Sequence, residues 1–151
     1  MTTAAPRYLQ DFALGQTFAS AQYEMTIEAI KAFAAQFDPQ PFHLDEAAAR
    51  DTLFAGLAAS GWHTASVTMR LLVGSGLAVA GGLVGAGAEL RWPRPTRPGD
   101  VLQVFSEVLE IKVSPHRPER GLVALKSETR NQHGDVVQVM TSRLSVPARG
   151  H

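Results

Sequence analysis

Hydrophobic and polar positions change rhythm midway along the chain. From Val101 to Val113 they alternate. Leu102, Val104, Ser106 and Val108 share one face, and Val101, Gln103, Phe105 and Glu107 share the other. A period of two is that of a strand, and the first face, being the more apolar, is the one to turn toward a core. Comparable stretches cover 121–131 and 136–146, separated by turn residues at SPHRPERG and NQHGD. A shorter one, Ala86 to Trp92, precedes a proline-rich turn, PRPTRPGD. Long consecutive strands with short connections predict an antiparallel meander.

The first half keeps helical time. Strand-like pieces lie between Gly15 and Thr26, with Phe18 and Tyr23 as candidates for burial. Ile27, Ile30, Ala34 and Phe37 then recur on one helical face. Thr26 is placed to cap that helix, and Met25 and Ile30 occupy the two positions of a hydrophobic staple. The pattern stops at Asp38-Pro39-Gln40-Pro41, where two successive residues before proline are pushed out of helical geometry. DEAAAR predicts a short helix inside 44–57. A longer one runs from about Ser60 to Val73, with Trp62, Ala65, Met69 and Leu72 as its apolar face and Gly74 as its terminator. A helix-bearing half followed by a run of strands reads as α+β in a single domain spanning 1–151, its core about 15–146, with the long helix covering one sheet face.

The eighteen uncharged residues from Leu71 to Ala88 approach the length of a membrane-spanning helix. Six of them are glycine, and each costs a helix interior about 1 kcal/mol relative to alanine. The stretch is therefore expected to hold a helix end, a loop and a strand start, with no membrane contact. The N-terminal residues show no export signal, so a cytoplasmic protein is expected. Fourteen basic residues balance fourteen acidic ones, so no broad field draws in nucleic acid. The absence of cysteine excludes disulfides, thiolate metal sites and a cysteine nucleophile. Gly74-Ser-Gly76 does not complete a dinucleotide-binding pattern, since Val79 stands at the third glycine position. The histidines at 43, 63, 116, 133 and 151 show no metal-binding spacing, so no metal is expected.

The informative stretch is Phe37-Asp38-Pro39-Gln40-Pro41-Phe42-His43-Leu44-Asp45. It sets a carboxylate and an imidazole five residues apart. A helix would turn them to different faces; the prolines are expected to prevent that helix and let a loop aim both at one point, walled by Phe37, Phe42 and Leu44. Desolvation there would tune both proton affinities. Spacing alone leaves open an ordinary turn in which Asp38 ends the helix and His43 is simply polar.

This stretch resembles the signature of the MaoC-like hydratases and dehydratases, among them the (R)-specific enoyl-CoA hydratases. Asp38, Pro41 and His43 match its pattern, and Gln40 stands where asparagine is usual. Ala59-Ser-Gly-Trp-His-Thr64 resembles the opening of the family's central helix, and Glu89 to Asp100 its strand-to-turn segment. Asn131-Gln-His-Gly134 resembles a late hairpin turn. The resemblance spans roughly 15 to 146. It implies a hot-dog fold, a long helix wrapped by a curved antiparallel sheet. It also implies a homodimer or dimer of dimers, and reversible addition of water to a trans-2-enoyl-CoA.

On that footing Asp38 and His43 are expected to handle water and protons, with Gln40 orienting the loop or the water. The Gly61 N–H at a helix start is expected to face the thioester oxygen, glycine leaving the approach clear; close helix packing is the other account of it. Ser60, Trp62, Arg91, Arg94 and Arg97 are candidate substrate contacts, the arginines for coenzyme A phosphates. No cofactor is expected beyond the coenzyme A of the substrate. A hot-dog thioesterase and a non-catalytic acyl-thioester-binding subunit are the alternatives.

Overall fold

The computed structural model describes residues 5–150. After a short turn of 3-10 helix at Leu9–Asp11, the elements are β1 (Thr17–Glu24), α1 (Ile27–Phe37), α2 (Pro41–Leu44), α3 (Glu46–Ala49), α4 (Gly61–Val73), β2 (Val84–Arg91), β3 (Val101–Val113), β4 (Arg120–Arg130) and β5 (Val136–Pro147). The strands form one antiparallel sheet in the order β1-β3-β4-β5-β2. The meander expected from alternation is β3-β4-β5. β1 and β2 add to its two edges. A bulge between Ala19 and Gln22 bends β1, and there the Ser20 hydroxyl accepts the Val104 N–H at 2.9 Å.

α4 lies on the sheet face that the alternation marks as apolar. Val67, Leu71 and Leu72 join Leu102, Val104 and Val108 of β3, Val123 and Leu125 of β4, and Val137 and Leu144 of β5 in one core. Each such side chain contributes about 1.5–3 kcal/mol on full burial. The helix wrapped by a curved sheet is the arrangement that the resemblance implies.

α1 starts as expected. The Ala29 N–H donates to Thr26 Oγ1 at 3.2 Å, and Met25 and Ile30 are wholly buried. Phe37 departs from the expected face: it is 64% exposed and packs on Phe33, ring centroids 5.1 Å apart, at the helix's last turn.

The inward face of α4 also differs from expectation. Trp62 and Met69 are 59% and 45% exposed, while His63, Thr64, Val67, Thr68, Leu71 and Leu72 are buried. Threonines can face inward because their hydroxyls are satisfied. Thr64 Oγ1 donates to Thr96 Oγ1 at 3.0 Å, and Thr68 Oγ1 bonds the Thr64 carbonyl at 2.9 Å and Thr129 Oγ1 at 2.6 Å. Gly74 ends the helix as expected, its N–H on the Arg70 carbonyl. Among the described residues no helix is long and apolar enough to cross a membrane.

Candidate active site

The proline-stiffened stretch does not stay a loop. Pro41 opens the one-turn helix α2, its fixed φ and missing N–H suiting the first helical position. Asp38 closes α1, its N–H on the Ala34 carbonyl at 2.9 Å. Two helices therefore meet at Pro39-Gln40, and that corner brings the two groups together: His43 Nε2 lies 3.3 Å from Asp38 Oδ2.

Each partner is held from behind. His43 is buried, and its Nδ1 is 2.6 Å from the Ala58 carbonyl. A carbonyl oxygen only accepts, so Nδ1 carries a proton and Nε2 is the atom turned to Asp38. Phe42 meets the imidazole edge-on at 4.5 Å, and Phe54 stands 5.9 Å away. Gln40 Nε2 donates to Asp38 Oδ1 at 2.5 Å. Ser60 caps α4 by accepting the Trp62 N–H at 3.3 Å. Burial pushes the Asp38 carboxyl up. The Ser60 and Gln40 donors and the His43 charge together outweigh it and hold the group below its usual value.

Asp38, His43, Gly61, Trp62, Arg94 and Arg97 all line one pocket of about 650 Å³. Gly61 is the first residue of α4, and its N–H makes no hydrogen bond among the described residues. A Cβ there would lie 2.7–2.9 Å from the Trp92 indole, so the missing side chain makes room for Trp92, a close packing of the kind that was the other account of this glycine. The indole is fixed in turn: Trp92 Nε1 donates to Gln138 Oε1 at 3.0 Å, and the wholly buried Gln138 donates to Thr68 Oγ1 at 3.0 Å. Trp62 meets Trp92 edge-on at 5.4 Å.

The three arginines part company. Arg94 is exposed at the pocket wall. Arg91, exposed at the end of β2, does not line the pocket. Arg97 turns its guanidinium onto backbone carbonyls: Nη1 donates to Gly56 at 3.0 Å and Leu57 at 3.2 Å, and Nη2 donates to Phe54. One of the three candidate phosphate contacts is thus engaged with the chain's own carbonyls. Trp92, Gln138, Thr64 and Thr96 were not among the expected site residues. Only Trp92 left a signal, as the aromatic within Arg91-Trp-Pro-Arg94. His63 is buried with its ring stacked on Phe33 at 4.7 Å, and burial lowers its proton affinity.

Residues 11–131 match the model of the MaoC-like domain. The chain belongs to the MaoC-like family. This MaoC-like chain is 33% identical over 141 residues to YdeM of Bacillus subtilis (strain 168), across 91% of its own length and 96% of that protein. It is 57% identical to the MaoC-like dehydratase of Rhodospirillum rubrum, whose crystal structure it matches with a TM-score of 0.93 over 96% of this chain and 99% of that one. It is 28% identical to the R-hydratase PhaJ1 of Pseudomonas aeruginosa, with a TM-score of 0.75 over 94% and 86% of the two chains. The hot-dog fold of this family is the one described above.

Proposed function

We propose that this MaoC-like chain is a hydro-lyase that adds water reversibly across the double bond of a trans-2-enoyl-CoA, giving a 3-hydroxyacyl-CoA. The observation that carries the reading is the Asp38–His43 pair at 3.3 Å on the wall of a pocket that also contains the start of α4. Membership of the MaoC-like family and similarity to an R-hydratase support a hydratase or dehydratase in general.

The reaction has three physical demands. Water needs a base, the α-carbon needs a proton, and the thioester oxygen needs donors as it gathers charge. Asp38, held ionised by Ser60 and Gln40, is suited to take a proton from a water that it shares with His43 Nε2. The water oxygen bonds the β-carbon, and the pair returns a proton to the α-carbon, so the elements of one water are added. The Gly61 N–H, at the positive end of α4, faces the thioester oxygen. The thioester makes the β-carbon electrophilic, so the step calls for no metal or redox group. Arg94 is the remaining arginine of the cluster at the pocket wall for the phosphates of coenzyme A. A second copy of the chain completes this reading, seated along β2.

The test follows the fate of a trans-2-enoyl-CoA. Loss of conjugated-enoyl absorbance without thiol release is expected. Asp38→Ala should lower that rate by about 10²–10⁴-fold with unchanged circular dichroism. Thiol release at the wild-type rate would replace hydration with thioester hydrolysis, and binding without either reaction would make the chain an acyl-thioester-binding subunit.

A further inference from the structure

Resting on the hydratase reading, we infer that Arg97 is a positioning residue for the Asp38–His43 pair, acting through residues 54–59, and not a ligand for substrate phosphate. Those residues run between two supports. On one side, Arg97 donates to the carbonyls of Phe54, Gly56 and Leu57, and the Thr96 carbonyl accepts the Ala59 N–H at 2.9 Å. On the other, Ala58 turns toward α2: its N–H donates to the Phe42 carbonyl at 3.1 Å, and its carbonyl takes the His43 Nδ1 proton at 2.6 Å. Ser60, the cap of α4, comes two residues later.

Three features make Arg97 the holder of this segment. The segment needs holding, because Ala55 sits at φ +54°, a region that a residue with a side chain rarely occupies. The fit is close, because a Cβ on Gly56 would come within 3.3 Å of Arg97 Nη1. The base of the arginine is fixed, because its N–H donates to Asp100 Oδ2 at 2.8 Å and Asp100 Oδ1 accepts from Gln132 at 3.1 Å. A planar fork of donors can span three carbonyls, which a lysine ammonium cannot match. The short distance from Leu57 to Ala58 then carries the constraint to the imidazole, holding the Nδ1 proton on the Ala58 carbonyl and fixing where Nε2 points.

The test compares Arg97→Gln and Arg97→Lys with wild type, using an enoyl-CoA and an enoyl thioester of N-acetylcysteamine, which has no phosphate. Positioning predicts that both variants lose about 10–100-fold in kcat on both thioesters with KM nearly unchanged, since displacement of about 1 Å costs rates of that order. It also predicts that the His43 Nδ1–H signal in ¹⁵N-correlated NMR spectra weakens or shifts in both variants. A raised KM on the coenzyme A thioester alone, with kcat kept and with Arg97→Lys restoring function, would identify a phosphate ligand and overturn the inference. So would an unchanged His43 signal in folded variants. Because that signal needs no turnover, inactivity of the wild-type protein would count against hydration alone, and the imidazole would still decide the role of Arg97.

Discussion

Asp38 stands between opposing influences. Burial favours its neutral form; the Ser60 and Gln40 donors and His43 favour its charge and prevail. A carboxyl whose folded pKa lies below the unfolded one stabilises the fold above the unfolded value, and that contribution is lost as pH falls through the folded value. The stability gap between wild type and Asp38→Asn is therefore expected to be widest near neutrality and to close below about pH 3.8, the group's usual value. Urea unfolding at pH 7 and pH 3 reads it, and an equal gap at both would contradict the ionised assignment. Asp38, Gln40 and His43 were legible in the sequence because one short stretch carries a family resemblance, spacing alone leaving an ordinary turn open. Trp92 and Gln138 were not, because the bond between them joins residues 46 apart and shows only once β2 and β5 pair. Arg97 was legible as a cation, yet its partners are carbonyls, which every residue type carries.

α4 shows how far periodicity reaches at the level of an element. Its bounds and terminator were readable, and its inward face was not. Ranking residues by hydrophobicity turns Trp62 and Met69 inward. The helix instead buries Thr64 and Thr68, whose hydroxyls find partners on β4 and in the turn before β3. A buried hydroxyl with a bond costs little, and partners on distant strands are invisible to a helical period. The first residue of this helix sets two effects against each other. Alanine is the better helix former by about 1 kcal/mol, but its Cβ would strike the Trp92 indole, which Gln138 holds in place. Overpacking should prevail: Gly61→Ala is expected to destabilise by about 1–3 kcal/mol. In thermal melts, the double variant Gly61→Ala/Trp92→Leu should lose less than its two single losses added. Strict additivity would mean that the indole is not what excludes the methyl group.

The whole molecule ends in two strand edges of different character. β1 carries a bulge and packs under α4, the kind of irregularity that blunts an edge. β2 is mostly exposed along its length, Val84 included, and the exposed Met69 of α4 lines a groove together with Gly85, Gly87 and Ala88 of the strand. A long edge flanked by apolar side chains invites a second chain. Wild-type protein is expected to sediment as a dimer at micromolar concentration. Met69→Glu should weaken the dimer by at least about tenfold, a change of about 1.4 kcal/mol. A monomeric wild type would remove the second copy from the functional reading. The order β1-β3-β4-β5-β2 carries a consequence in time as well as in space. Thr17 at the start of β1 is paired with Glu107 in β3, so a chain emerging from the ribosome holds β1 without its sheet neighbour until β3 has been made. Such distant closures are slow steps in folding. The Asp38–His43 corner can form locally and early, but the wall that faces it, from Trp92 to Arg97, arrives only with the sheet, so the nascent chain has its acid and its imidazole well before it has a pocket.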